Sequence, residues 1–407
     1  MRQAIDKNRK FKAAGRPLVD IGASVLTGIR SSAVACARGG LASNTVMETI
    51  PLSVAEAKAM GSDFFRAGFL FEAPVVEDDR FVDALGIEWL WADGAPTPLT
   101  HPLAQADLAE IVRHVRPVWP DIMQVSKGLS DQEYLVADAP CQGLLDMCFG
   151  LRNSWQFMED LTSNWRPASA LLDWSLETIL QAYEALLSSL PRQPDIVVYG
   201  DDYGFSSGMF ISEVDFRNFI RPRLRRLVSY LRHLTSAQIC FHSCGAIRPI
   251  IGDIVDLGVE IVNFDPYAKS MIMSDIRRDI PADIVFHGTT DLVALGRSIR
   301  SRNMASVGIL ACELAESAPV IAAPNDVVSS PVELADLALA VAFIQASSDQ
   351  DFEDLRQLGP VRCILERGVE AALATKLILP AGNAEITLYK TGQDNLKDKE
   401  NFQIFQG

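Results

Sequence analysis

The chain has 407 residues and a mass of 44.6 kDa, with 48% hydrophobic and 22% charged residues. That balance supports a large buried core and excludes wholesale disorder and long coiled coil. Lys and Arg total 37 against 52 Asp and Glu, a net charge of −15 and a pI near 4.8. Such a field repels phosphate backbones and anionic membrane surfaces, so nucleic acid is not an expected partner.

Eight short apolar runs, each ending in a polar or Gly-rich turn, mark strands. In chain order they are Pro17–Ile21, Ala67–Phe71, Glu133–Ala137, Asp195–Tyr199, Gln238–His242, Val259–Asn263, Asp283–His287 and Ala318–Ala322. None alternates cleanly toward solvent, as strands of a parallel sheet covered on both faces require. Helical patterns lie between them at Ser53–Met60, Leu103–Val115, Asp173–Leu190, Ser212–Leu231 and Pro331–Gln345. The last begins with Pro in a first-turn position, where its missing N–H costs nothing. Eight strands alternating with helices predict a distorted (β/α)8 TIM barrel. A doubly wound open sheet is the competing architecture, but no G-x-G-x-x-G follows the first strand.

The predicted barrel spans 1–345, with an insertion at Glu77–Pro102 after the second strand, and 346–407 form a C-terminal extension. Trp89 and Trp91 of the insertion are expected to line the barrel entrance. No run reaches the roughly 18 apolar residues of a membrane span, and the basic N-terminus is not followed by a signal-type apolar stretch. Seven scattered cysteines read as reduced thiols, which places the chain in the cytoplasm.

Barrels of this kind carry chemistry at the C-terminal ends of their strands. Those ends hold Asp20, Glu72, Asp138, Asp201 with Asp202, His242 with Cys244, Asn263 with Asp265, His287 with Asp291, and Asn325 with Asp326. Asp and Asn in such places also cap the following helix, which is the plainer role for any one of them. The most specific segment is ICFHSCGAIRPII at 239–251. His242 and Cys244 are two apart, so once the backbone turns they can chelate one metal, and an imidazole with a thiolate favours zinc over magnesium. A buried structural His/Cys pair is the alternative. Gly245 permits the turn, and Cys240 sits deeper on the same strand face, where it packs.

From His242 onward, HSCGAIRPIIGDIVDLGVEIVNFDP resembles the uroporphyrinogen decarboxylase superfamily in its methyltransferase-like branch. RPLVDIGASVLTGIRSSA, DALGIEWLWADGAPTPLTHPLAQADLAEI, VVYGDDYGFSSGMFISEVDFRNFIRPRLRRL and HGTTD at 287–291 agree with it in order. The branch includes methylcobamide:coenzyme M methyltransferases and the methyltransferases of corrinoid-dependent O-demethylases. The resemblance implies a zinc at an H-x-C pair and a later Cys, and a methyl group passed between a small substrate or thiol and a corrinoid protein. His242 and Cys244 match the first two ligands. The third departs: APVIAAPNDVVSSP carries no thiol after the eighth strand, and Glu72, Cys141 and Asp326 are the substitutes considered.

Asp201 and Asp202 are expected to be catalytic, with at least one facing the pocket to orient substrate or protonate a leaving group. Asp20, Tyr203, Asn263, His287 and Asn325 are the expected substrate-binding residues. No D-x-H-x-x-G occurs, so the corrinoid should arrive on another protein. The expected partners are therefore a small methyl donor or acceptor, a corrinoid protein and, in a homodimer, a second copy of the chain. Two other readings stand beside this one. A tetrapyrrole decarboxylase would use arginines for carboxylates, although Arg221–Arg226 reads as a solvated helix face. A barrel with a degenerate site could instead serve as a non-catalytic binding subunit.

Overall fold

The structure is a computed structural model and describes residues 16–21, 29, 41–42, 52, 54–69, 71–72, 80–92, 95–119, 133–325, 327–375, 380–381 and 384–385. Eight strands form one sheet: β1 Leu18–Val19, β2 Phe64–Ala67, β3 Tyr134–Ala137, β4 Ile196–Gly200, β5 Gln238–Ser243, β6 Ile261–Phe264, β7 Val285–His287 and β8 Val320–Ala322. Neighbours pair in parallel from β2 through to β8, and β8 pairs with β1. Between β1 and β2 the Asp63 N–H donates to the Val19 carbonyl at 2.8 Å, and the Val19 N–H donates to the Asp63 carboxylate at 2.8 Å. The sheet is thus a nearly closed TIM barrel, as the alternation of elements predicts.

The second strand lies three residues earlier than the apolar run suggests. Phe64–Ala67 pairs with β3, whereas Phe71–Glu72 pairs antiparallel with Leu41–Ala42 outside the barrel. Arg66 interrupts the true strand with a charge, so AGFLF looks the better candidate on hydrophobicity alone.

Inward-facing side chains explain how the site is placed. A buried apolar layer contains Leu18, Phe64, Val136, Val198, Cys240, Ile261 and Val285. Two residues further along five of these strands come Asp20, Arg66, Asp138, Asn263 and His287, and on β5 His242, all buried. Side chains alternate between faces of a strand, so i and i+2 share one face. The barrel interior therefore changes from a dry apolar floor to a polar layer at its C-terminal mouth.

Helices cover the outside. They include α1 Leu144–Arg152, α2 Trp165–Ser189, α3 Arg221–Leu234, α4 Leu292–Arg300 and α5 Pro331–Gln345. On α3, Arg221, Arg223 and Arg226 reach outward to Asp253, Asp173 and Glu177, so the cluster is a solvated ion-pair face. Two further helices, α6 Asp349–Leu358 and α7 Arg362–Ala374, pack Phe352, Leu355, Ile364, Leu365 and Val369 into the same core as α4 and α5. Among the described residues no single helix is long and apolar enough to cross a membrane, and the six described cysteines are free thiols.

The insertion forms a three-stranded antiparallel meander, Arg80–Val82, Glu88–Ala92 and Ala95–Pro98. Trp89 is buried in it, with its indole N–H donated to Asp83 at 2.9 Å and its ring against Phe81. It holds the meander together rather than lining an entrance, and the Trp91 side chain lies outside the described residues.

Candidate metal centre at the barrel mouth

His242 ends the inward row of β5, and Cys244 follows where the strand turns. Gly245 makes that turn with φ +86°, a left-handed conformation that favours glycine. The imidazole Nε2 lies 3.3 Å from the Cys244 Sγ and 3.6 Å from the Asp202 Oδ1. Asp202 comes from the end of β4, whose Gly200 is in register with His242. Its carboxylate also accepts the Cys244 N–H at 2.8 Å. The three ligand atoms lie within 4.8 Å of one another.

That donor set suits zinc. Metal–ligand bonds of about 2.0–2.3 Å in tetrahedral geometry set ligand atoms roughly 3.3–3.6 Å apart. An imidazole, a thiolate and a carboxylate are all accepted zinc ligands, and three protein ligands leave a fourth position for water or substrate. Asp202 thus stands where the sequence offered no third ligand. Cys141 lies outside the group, the Glu72 side chain and Asp326 lie outside the described residues, and Cys312 is in the helical core.

Charge at the centre is divided unevenly. Burial pushes His242 down, but the Cys244 thiol and the Asp202 carboxylate outweigh it and hold the imidazole well above its ordinary range. Burial raises Cys244, partly offset by His242. Burial also pushes Asp202 up, yet the hydrogen bond and charge of His242 bring it below the usual carboxylate value.

The two adjacent aspartates separate in role. Asp201 is buried and is not part of the Asp202–His242–Cys244 group. It accepts the N–H groups of Leu145 and Asp146 at the start of α1 at 3.0 and 3.1 Å, and the hydroxyls of Tyr199 and Tyr203 at 3.0 and 2.5 Å. An anion at a helix N-terminus satisfies orphan donors and complements the helix dipole. Burial raises the Asp201 carboxyl to about 6, with the hydrogen bonds of Tyr203, Leu145, Asp146 and Tyr199 working against it. Tyr203 is buried too, between Phe216 and Phe241. Its position, expected to bind substrate, is spent on Asp201.

A carboxylate that sequence reading passed over is Asp146, on α1. It accepts the Asp202 N–H at 3.3 Å, and burial, Asp202 and Asp201 together raise it well above its ordinary value. The apolar spacing of LLDMCFGLR was its available signal.

The remaining strand-end residues form a buried polar arc. His242 Nδ1 lies 2.6 Å from Asn263 Oδ1. Asn263 Nδ2 lies 2.8 Å from both His287 Nδ1 and the His287 carbonyl. His287 Nε2 lies 2.9 Å from Asp20, and Arg66 bridges Asp20 and Asp138 at 2.5 and 3.1 Å. Asn325 sits apart. With its amide turned to suit its neighbours, its nitrogen donates to the Gly288 and Thr290 carbonyls at 3.2 and 2.9 Å. Asp291 caps α4 through Ala294 N–H, and Asp265 accepts the N–H of Tyr267 in a turn.

Residues 136–295, which supply β3 to β7 and the whole H-x-C segment, match the family model of uroporphyrinogen decarboxylase (URO-D). Over that stretch, which is less than half of the chain, the protein is similar to uroporphyrinogen decarboxylase. A methyltransferase from Methanosarcina mazei shares the fold, with a TM-score of 0.55 over 83% of this chain and 96% of that one at 17% sequence identity. Among curated protein sequences none matches the chain. The matched stretch contains His242, Cys244, Asp202, Asp146, Asn263 and His287, while Asp20 and Arg66 lie upstream of it.

Proposed function

We propose that this barrel is a methyltransferase that moves a methyl group between a small methylated compound or thiol and a corrinoid carried by a separate protein. The observation that carries this reading is the Asp202–His242–Cys244 group at the mouth, with ligand atoms within 4.8 Å. The shared fold with a methyltransferase and the H-x-C segment support it.

In this reading His242 Nε2, Cys244 Sγ and Asp202 Oδ1 hold zinc. When bound, zinc supplies Lewis acidity, which makes a thiol nucleophilic at neutral pH or polarises an ether oxygen. Cys244 and Asp202 are oriented by the hydrogen bond between them. The apolar layer beneath, from Leu18 to Val285, keeps water out of the barrel below the site. Methyl transfer is an in-line displacement, so the chain's contribution is chiefly alignment of donor and acceptor. Asp201 acts as a positioning residue by fixing the start of α1, and with it Asp146, against the metal centre.

Metal analysis of purified protein tests the proposal, with His242→Ala, Cys244→Ser and Asp202→Asn beside it. Near-stoichiometric zinc that is lost in these variants is the expected result. Incubation with a methylated corrinoid protein and candidate thiols or methoxy compounds should then change the cobalt spectrum. Metal content unaffected by all three substitutions, or metal-independent conversion of a porphyrinogen without any corrinoid, would overturn the reading.

A further inference from the structure

We propose that Asn263, His287 and Asp20 are positioning residues that decide which nitrogen of His242 is free to bind metal, through one line of hydrogen bonds across four strands. The proposal deepens the reading of Asp202, His242 and Cys244 as a metal site and rests on it for its consequence, though not for its geometry.

Proton accounting fixes the line without ambiguity. The His287 carbonyl oxygen can only accept, so the Asn263 atom 2.8 Å from it must be the amide nitrogen. Asn263 Oδ1 therefore faces His242 Nδ1 at 2.6 Å, and an oxygen acceptor there requires Nδ1 to carry a proton. A neutral His242 then presents Nε2 as a lone pair, on the side where Cys244 and Asp202 lie at 3.3 and 3.6 Å.

The second amide hydrogen of Asn263 points to His287 Nδ1 at 2.8 Å, making that nitrogen the acceptor. His287 consequently carries its proton on Nε2 and donates it to Asp20 at 2.9 Å. Arg66 donates to the same Asp20 oxygen.

Strand register makes this possible. His242 pairs with Asn263 across β5 and β6, and the pairing of Val262 with Phe286 brings Asn263 beside His287. Both donors of Asn263 and both nitrogens of His287 are used within the line. They were expected to bind substrate, but they have no N–H left to offer it.

An acceptor behind the distal nitrogen of a ligating histidine fixes its tautomer and raises its basicity, and loss of such a partner typically costs 10–100-fold in metal affinity. Here the partner is an amide whose own orientation is dictated by a buried histidine, a carboxylate and an arginine.

The test is imidazole 15N NMR on the full-length protein, metal-free at a pH where His242 is neutral and again with zinc. Zinc affinity is measured by chelator competition on wild type, Asn263→Leu and Asn263→Asp. The expected result is a protonated Nδ1 on His242 in both states. Asn263→Leu should bind zinc about 10–100-fold more weakly, and Asn263→Asp, which still accepts from Nδ1, should recover most of that loss. A metal-free wild type with the proton on Nε2 and a bare Nδ1 would overturn the proposal, and that readout needs no variant to fold. So would a folded Asn263→Leu that binds zinc like wild type. Wild type that binds no zinc while Nδ1 keeps its proton supports the hydrogen-bond line and instead overturns the metal reading.

Discussion

Gly245 lies so close to Gly204 that a methyl group on it would fall 2.1 Å from the Gly204 carbonyl carbon and 2.2 Å from its oxygen. The Ala246 N–H donates to the Phe205 carbonyl at 2.9 Å, so the turn after Cys244 and the hairpin after Asp202 are joined backbone to backbone. Two ligand-bearing loops are thereby locked together. Gly245→Ala combines a left-handed residue with overpacking, at about 1–3 kcal/mol for each effect. It should lower the melting temperature and release zinc even though every ligand is kept, as read by calorimetry and metal analysis.

Zinc binding should strengthen as pH rises through neutrality. His242 and Cys244 are both shifted upward, so each holds a proton that the metal must displace, whereas Asp202 is shifted downward and is already ionised. Close to two protons, not three, should be released per zinc. Titration calorimetry in buffers of different ionisation enthalpy counts them. An affinity that does not change between pH 6 and 8, roughly the span over which such groups compete with metal, would contradict the assignment.

Arg66 neutralises two buried carboxylates, Asp20 and Asp138, and its own charge is stabilised by them against the cost of burial. Arg66→Met removes the guanidinium that both acids share, and breaking a buried pair from one side costs about 3–5 kcal/mol. Burial already raises Asp138, with Arg66 opposing the rise. Without the guanidinium the Asp138 carboxyl should rise further and stay protonated in the folded state, while the unfolded chain ionises it near pH 4. The folded state then binds more protons, so the variant should lose stability as pH rises above that value. Denaturant melts of the variant at pH 5 and pH 7.5 decide the sign.

Asp201→Asn replaces an anion that accepts from two helix N–H groups with an amide whose own N–H must face one of those donors or a tyrosine hydroxyl. A loss of about 1–3 kcal/mol is expected from the unsatisfied buried groups. Zinc stoichiometry should persist in the folded fraction. If stability is unchanged and turnover alone collapses, Asp201 is a catalytic residue in contact with substrate instead.

The barrel was legible because its strands are short, apolar and bounded by polar turns, and H-x-C was legible because His242 and Cys244 lie two residues apart at one strand's end. Arg66 was lost with the misplaced second strand, since one charge in FFRA outweighed its pairing in any local reading of hydrophobicity. Asp202 was visible as a strand-end acid, but its place beside His242 depends on β4–β5 register across 40 residues of chain, which periodicity does not encode. For the same reason Asn263 and His287 read as separate polar ends rather than as one line. The positions of Glu72 and Asp326 as alternative ligands rested on strand ends whose side chains the structure does not describe.

Every residue of α5 from Leu334 to Ile344 is buried, with α4 and α7 both packed against it. During synthesis this final barrel helix emerges before α7, which shields part of it. A nascent chain stopped at Gln345 would carry a largely apolar helix with the face that α7 covers laid open, an invitation to chaperones and to self-association. Release of a chaperone-bound intermediate should therefore coincide with emergence of the segment through Ala374, and not with completion of the eight strands.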